Sequence, residues 1–163
     1  MAYLLYEKTW QSRLCDDQQV KVFTPKPGRL FMPAEEKSAK ATAARFLFWL
    51  MTWGKAKIYY IAGNDGEIQH TSYVLPKCAK FPFMEKGSFE IGPCQTAEKF
   101  RGQGLYGKVL SYITSEETYK NARFYMIVEE QNKPSVRGIE KAGFVKSGTI
   151  KRTKYLKRYK KCT

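Results

Sequence analysis

Phe100-Arg101-Gly102-Gln103-Gly104-Leu105-Tyr106-Gly107-Lys108 stands between a run of strand formers, residues 88–96, and an amphipathic run that begins at Gly104. A glycine-rich turn from strand into helix exposes bare backbone N–H groups at a helix N-terminus, where an anionic phosphate is readily held. Glycine matters there because a side chain blocks the approach of phosphate oxygens. A plain strand-to-helix connection can use the same residues, so the loop alone does not decide between the two.

Two phosphate-loop patterns overlap at this turn, and neither fits. Gly102-x-Gly104-x-x-Gly107 matches the dinucleotide fingerprint, with Glu129 placed as a ribose acid. That fingerprint opens almost directly from its strand, as the first turn of a βαβ unit. Here residues 97–101 intervene, and only 56 residues follow Gly107, too few for two mononucleotide-binding halves. Gly102-x-x-x-x-Gly107-Lys108 nearly spells a Walker A loop, but Val109 stands where a Ser or Thr hydroxyl ligates magnesium.

Working outward, residues 2–7 and 20–23 read as short strands, and Pro25, Pro27 and Gly28 turn the chain. Pro33-Ala34-Glu35-Glu36 opens a helix that runs to Trp53 and stops at Gly54, with Ala39, Ala43, Phe46, Leu50 and Trp53 on one inward face. Residues 57–62 and 68–75 form a hairpin around Gly63-Asn64-Asp65-Gly66-Glu67. The glycine loop feeds a helix from Gly104 to about Tyr119, with Leu105, Val109, Leu110 and Ile113 inward. Residues 124–128 form a buried strand, residues 134–142 a short helix ended by Gly143, and Phe144 starts a further strand. Mixed strands and helices of this order imply an α/β (α+β) fold in a single domain, residues 1–163.

The 163 residues carry 43% hydrophobic and 15% aromatic side chains, enough for one folded core. Lys and Arg number 29 against 15 Asp and Glu, a net charge of +14 that attracts anions. Seven of the basic residues (Lys151, Arg152, Lys154, Lys157, Arg158, Lys160, Lys161) lie in the last thirteen positions. They read as a solvated final strand, as steering for a polyanionic ligand, or as a grip on nucleic-acid phosphates. Cys15, Cys78, Cys94 and Cys162 are far apart with only His70 to help, so no metal site is expected. The N-terminus lacks a secretory pattern and no apolar run approaches a membrane span, so a reduced cytoplasmic protein with no membrane partner is expected.

A second segment begins 31 residues after Arg101: Asn132-Lys133-Pro134-Ser135-Val136-Arg137-Gly138-Ile139-Glu140-Lys141-Ala142-Gly143-Phe144. Together with Arg101-Gly102-Gln103-Gly104-Leu105 it resembles the GNAT superfamily of acyl-CoA-dependent N-acyltransferases. That family's pattern is a strand, Arg-x-x-Gly-x-(Gly/Ala), a helix, a strand, then Asn-x-x-(Ala/Ser) and Glu-Lys-x-Gly-Phe. The likeness covers residues 88–150, and the N-terminal half matches only in element order. His70-Thr71-Ser72-Tyr73, Ile91-Gly92-Pro93-Cys94 and residues 102–106 are similar, more narrowly, to uncharacterised bacterial members, some thought to act on sugar amines.

The resemblance implies a mixed, mostly antiparallel central sheet flanked by helices and splayed between the strands near 88–96 and 123–128. Acetyl-CoA would lie in that gap over an acyl-CoA-binding core at 88–150, with residues 1–75 on the acceptor side. Backbone groups of Cys94, Gln95 and Thr96 would pair with the pantetheine arm. Amides of Gln103, Gly104, Tyr106, Gly107 and Lys108 would receive the pyrophosphate beside Gly102 and Arg101, and Asn132 and Ser135 would border the arm. The family's second small loop position is Tyr106 here. Ile139 stands where many members carry a Tyr that protonates the departing thiolate.

An amine attacks a thioester only when neutral, so a base is needed. Glu90 is the first candidate, since regular pairing puts it on one strand face with Gly92, Cys94 and Thr96; a bulge changes that parity. A solvated or salt-bridged Glu90 is the competing reading. His70, the one side chain with an unperturbed pKa near neutrality, and Tyr73 beside it are further candidates, against ordinary structural roles. Cys94 reads as a thiol near the thioester or as a small buried hydrophobe. The aromatic block 46–51 with Trp53 reads as core packing or as a wall of the acceptor pocket.

The expected function is therefore acetyl transfer from acetyl-CoA to a primary amine of a small molecule, such as an amino sugar. A basic nucleic-acid-binding module and an acyl-CoA-binding protein without turnover are the alternatives. The oligomeric state, monomer or homodimer, is not legible.

Overall fold

The computed structural model describes residues 3–12, 19–30, 39–153 and 158–162. Among them the strands are β1 (Tyr3–Thr9), β2 (Val20–Phe23), β3 (Lys57–Ala62), β4 (Ile68–Pro76), β5 (Phe89–Thr96), β6 (Arg123–Glu129), β7 (Val145–Arg152) and β8 (Tyr159–Lys161). The helices are α1 (Ala39–Thr52), α2 (Leu105–Ser115) and α3 (Lys133–Lys141). The strands form one sheet in the order β2-β3-β4-β5-β6-β1-β7-β8.

Two antiparallel halves meet at a single parallel joint. β5 pairs with β6 only through Phe89↔Phe124 and Glu90↔Tyr125, and beyond Glu90 the strands part. The expected splay between the strands near 88–96 and 123–128 is therefore present. From Ile91 to Thr96, β5 pairs with β4 alone, leaving the edge that faces β6 without a partner strand among the described residues. The N-terminal strand β1 lies far from its sequence neighbours, inserted antiparallel between β6 and β7.

Strand alternation sorts the core into two faces. Val74, Ile91, Tyr59, Leu4 and Met126 point to the side that carries α2 and α3, where Val109, Leu110 and Ile113 are fully buried. Each such side chain contributes about 1.5–3 kcal/mol through burial. Tyr3, Leu5, Leu75 and Tyr125 point to the other side, onto Phe81 and Met84 of the β4–β5 connection and Phe48 of α1.

The expected inward face of α1 is the outward one. Phe46, Leu50 and Trp53 are 48%, 52% and 87% exposed, whereas Arg45 and Thr52 are buried. The helix is apolar around most of its circumference, so periodicity picks no unique stripe. Its polar residues can go inward because each finds a hydrogen bond there. Arg45 Nη1 donates to the Leu30 carbonyl at 3.1 Å, and Thr52 Oγ1 accepts from the Ala56 amide at 3.1 Å. Phe46 and Trp49 stack on each other at 6.0 Å, so Phe46, Leu47, Leu50 and Trp53 of the aromatic block are not core packing. The expected opening at Pro33-Ala34-Glu35-Glu36 and the Ala39 side chain lie outside the described residues.

α2 ends at Ser115, short of the expected Tyr119, and a tight turn covers Glu117–Tyr119. Thr114 and Ser115 bond back to the carbonyls of Leu110 and Ser111 at 3.0 and 2.9 Å. Tyr59 meanwhile donates its hydroxyl to the Glu116 carboxylate, which fixes the chain outside the helix. The basic C-terminal segment forms the edge pair β7–β8 with Lys151, Arg152, Lys160 and Lys161 exposed; Lys154, Tyr155 and Lys157 lie outside the described residues.

Candidate functional site

The parting of β5 from β6 opens a cleft of about 890 Å³, walled by β5, the glycine loop, α2 and α3. Cys94, Gln95, Thr96, Arg101, Gly102, Gly104, Tyr106, Gly107, Lys108, Asn132 and Ser135 line it, together with His70. Gln103 is exposed and does not. Residues chosen from four separate stretches of the sequence thus converge on one space.

The loop turns through two left-handed residues, Gly102 (φ 80°) and Gly104 (φ 76°), conformations that cost a side-chain-bearing residue about 1–2 kcal/mol. Gly104 is also the N-cap of α2, and no side chain caps it among the described residues. The first amides of α2 therefore face the cleft without helical partners. No atom lies within 4 Å of where a Cβ would stand on Gly102, Gly104 or Gly107, leaving open space over the loop. Arg101 pairs with Glu98 at 3.5 Å, both largely exposed, and Lys108 donates to Gln19 at 2.8 Å.

Asn132 is the N-cap of α3, its Oδ1 accepting the Ser135 amide at 3.2 Å. Sequence reasoning missed two further cleft residues, Arg137 and Lys141, one helical turn apart on α3. With Arg101 and Lys108 they put four cationic side chains on one cleft. The signal available in the sequence was the i, i+4 spacing of two bases just after the Asn132 cap.

Tyr106 does not project over the loop. Its ring packs inward, 5.7 Å from the His70 ring, and against α3, where a Cβ on Gly138 would come within 2.7 Å of Cδ1. Its hydroxyl is hydrogen-bonded to Cys94, and burial holds its pKa far above the usual phenol range.

His70 is buried and held by both ring nitrogens, Nδ1 to Thr96 Oγ1 at 2.7 Å and Nε2 to Ser72 Oγ at 2.8 Å. Burial lowers its pKa to about 4, so the ring is neutral. The Ser72 hydroxyl donates to Cys94 Sγ at 3.2 Å. Ser72 therefore accepts from Nε2–H, and Thr96 donates to Nδ1. His70 is a neutral link in the cleft wall, with no ring nitrogen free to take a proton. Desolvation also pushes the Cys94 thiol up to about 12, which favours a half-buried packing residue over the reactive thiol.

Glu90 lies on the other face of the sheet, contrary to regular alternation. Ser72 opposes Cys94 and Val74 opposes Ile91, so Gly92 and Pro93 together face the single residue Tyr73. This bulge reverses the parity: Cys94 joins the face of Ile91, whereas Glu90 joins that of its register partners Leu75 and Tyr125. Glu90 is buried, and its Oε2 has no hydrogen-bond partner among the described residues. Burial raises its pKa to about 8, with the Lys80 charge acting in the opposite direction. The solvated Glu90 is thus excluded. Tyr73 shares the Glu90 side of the sheet and packs against Phe48 at 5.5 Å. The structure therefore separates the three candidates, with His70 facing the cleft and Glu90 and Tyr73 facing α1.

Among the described residues no three or more His, Cys, Asp or Glu side chains are grouped to hold a metal ion, and no helix is long and apolar enough to cross a membrane. No family model matches the sequence, and no curated protein matches it. Solved structures do resemble the fold. A GNAT-family acetyltransferase from Colwellia psychrerythraea superposes with TM-score 0.59 at 17% identity, over 90% of this chain and 53% of that one. A GCN5-related N-acetyltransferase from Sphaerobacter thermophilus gives 0.59 at 14%, over 91% and 49%. Glucosamine-6-phosphate N-acetyltransferase from Arabidopsis thaliana gives 0.51 at 18%, over 85% and 99%. The chain thus spans about half the length of the first two and nearly all of the third. Sheet, splay and glycine turn together give this chain the fold of the GNAT acetyltransferases.

Proposed function

We propose that the chain transfers an acetyl group from acetyl-CoA to a primary amine of a small molecule, with both substrates bound together. The observation that carries this reading is the continuity of the cleft: the unpaired edge of β5 leads to the uncapped amides of α2. An extended amide-bearing arm pairs with an open strand edge as an added strand does, and a pyrophosphate suits a helix N-terminus. Residues 94–96 would take the arm, residues 102–108 the pyrophosphate, and Asn132 and Ser135 the facing wall. The open space over Gly104 and Gly107 fits that approach. Acetyl-CoA supplies the activated thioester.

Glu90 acts as the base. It stands at the last β5–β6 register pair, where the gap begins, on the face opposite His70. A carboxyl held near 8 by burial takes a proton from an alkylammonium more readily than an ordinary glutamate does. Alignment of the two substrates supplies much of the remaining acceleration. The amino-sugar acceptor is the class to try first, given the fold likeness to an enzyme that acetylates glucosamine 6-phosphate.

Ile139 favours a second reading. It is fully buried in the core beside α2, so the position where the resemblance locates a proton donor holds none. A protein that binds acyl-CoA without turnover would look the same there.

Thermal unfolding with acetyl-CoA, CoA, NAD and ATP at matched ionic strength tests the binding step without a known acceptor. A ligand at a hundredfold its Kd stabilises by about 2.7 kcal/mol. Stabilisation by the CoA species alone is the expected result; equal responses to all four reduce the cleft to a general anion site. Release of free thiol with an amine panel then separates turnover from binding.

A further inference from the structure

Five polar side chains on the cleft face of the sheet form one line of hydrogen bonds. Thr96 Oγ1 meets His70 Nδ1 at 2.7 Å, His70 Nε2 meets Ser72 Oγ at 2.8 Å, and Ser72 Oγ meets Cys94 Sγ at 3.2 Å. Cys94 in turn meets the Tyr106 hydroxyl. The line starts on β5, crosses to β4, returns to β5 and ends on α2.

The supply of hydrogens fixes its direction. A neutral imidazole carries one N–H, and each hydroxyl or thiol carries one hydrogen. Thr96 donates to Nδ1, Nε2–H donates to Ser72, and Ser72 donates to Cys94. Desolvation keeps Cys94 a thiol, and its sulfur has already accepted from Ser72, so its S–H goes to the Tyr106 oxygen. The Tyr106 O–H is then the one hydrogen of the line without an acceptor among the described residues.

Tyr106 is half-buried and lines the cleft. Its ring is held between the His70 ring, 5.7 Å away, and Gly138 of α3, where a Cβ would come within 2.7 Å of Cδ1. The hydroxyl is thereby fixed beside Cys94, on the stretch of β5 whose edge has no partner strand. Hydrogen bonds in a line polarise one another, so the last O–H is a stronger donor than that of an isolated phenol. Among the described residues no Asp or Glu lines the cleft to compete for it.

We infer that the Tyr106 O–H donates to the sulfur of bound acyl-CoA and stabilises the negative charge that sulfur acquires as the acyl group leaves. The inference rests on the proposed acetyl-CoA reading and names the group that serves its leaving side. As the amine nitrogen bonds to the thioester carbon, the C–S bond breaks and its electron pair stays on sulfur. Of the two protons the ammonium loses, one goes to the base and one to solvent. Tyr106 keeps its own proton, because burial holds the phenol far above its usual range. CoA departs as the thiolate and is protonated in water.

The test compares the affinities of CoA and desulfo-CoA, in which hydrogen replaces the thiol, by titration calorimetry at about pH 9, above the ordinary thiol pKa of about 8.5. The ratio of the two affinities cancels protein titrations common to both ligands. The wild type is expected to prefer CoA by about tenfold or more, the scale of a hydrogen bond to a charged group. Tyr106→Phe keeps the ring between His70 and Gly138 and is expected to bring the ratio close to unity, with desulfo-CoA affinity unchanged. Cys94→Ser continues the line with an O–H and keeps the preference, whereas Cys94→Ala interrupts it and lowers the preference several-fold. The Cys94 pair decides the matter should Tyr106→Phe fail to fold. A wild-type ratio near unity, a ratio unmoved in Tyr106→Phe, or equal ratios in the two Cys94 variants overturns the inference and leaves the acetyl-CoA reading standing. Absence of binding by both ligands overturns the acetyl-CoA reading and the inference with it.

Discussion

The Glu90 carboxyl fills the space that a side chain on Gly92 would take: a Cβ on Gly92 falls 2.6 Å from Glu90 Oε1. Glu90 is buried, so its carboxyl has little free space to move into. Gly92→Ala therefore pushes the carboxyl off its position or distorts the bulge. The expected cost is about 1–3 kcal/mol, as for other overpacked sites, measured by urea unfolding. Acetyl transfer falls in the same variant while CoA binding, on the opposite face, stays within a few-fold of wild type.

Two buried groups make stability depend on pH in opposite senses. Glu90 has a folded pKa of about 8 against 4.5 for the free group. Its contribution is full below 4.5 and is lost as pH rises toward 8, because the unfolded chain releases the proton first. His70 has a folded pKa of about 4 against 6.5. Its contribution is present above 6.5 and is lost as pH falls toward 4. Urea unfolding from about pH 5 to 9 should show Glu90→Gln removing the alkaline decline, with the acid-side slope unchanged. A decline that persists in Glu90→Gln assigns it to another group. Turnover should rise with pH to a plateau above about 8 in the wild type and lose that limb in the variant.

Glycines of the loop separate folding from binding. Gly107 lies inside α2 with open space above it, so Gly107→Ala should stabilise the fold by about 0.5–1 kcal/mol while its methyl hinders the phosphate. A raised melting temperature with weaker CoA binding is the expected pair of results. Gly104→Val should abolish CoA binding and also destabilise, since its φ of 76° disfavours a β-branched side chain. Unchanged CoA affinity in folded forms of both variants would move the phosphate site elsewhere.

Arg137 and Lys141 extend the cationic lining of the cleft beyond the glycine loop. Replacing either with Ala should weaken CoA binding by several-fold, consistent with partly solvated charge pairs of up to about 1 kcal/mol. The double variant should also show a flatter dependence of CoA affinity on salt, measured by titration calorimetry at two ionic strengths. An unchanged salt slope would place both residues outside the phosphate field.

The elements and the loop were legible because their causes are local. The Gly63–Gly66 turn and the glycine-rich passage from strand to helix at 102–107 need only a few consecutive residues. The pairing of the two motifs was equally legible, and the splay followed from the family they resemble. What lies between them was less so: Arg137 and Lys141 became site residues only once α3 packed beside the loop.

The face on which each buried group acts was decided by the tertiary structure. Alternation puts Glu90 with Cys94, and a single bulge at Gly92 and Pro93, set by pairing with β4, moves it to the opposite side. α1 is apolar nearly all round, so the packing of its Phe48 on Tyr73 and the bond from its Arg45 to the Leu30 carbonyl select the side that is buried. Rings at positions 48, 81 and 159 surround the Lys80 ammonium, and the bond from the Tyr159 amide to the Lys80 carbonyl at 3.0 Å ties the edge strand β8 to the β4–β5 connection. Residue type and spacing determine what a segment can form locally. Register and long-range packing determine which side of the sheet its side chains serve.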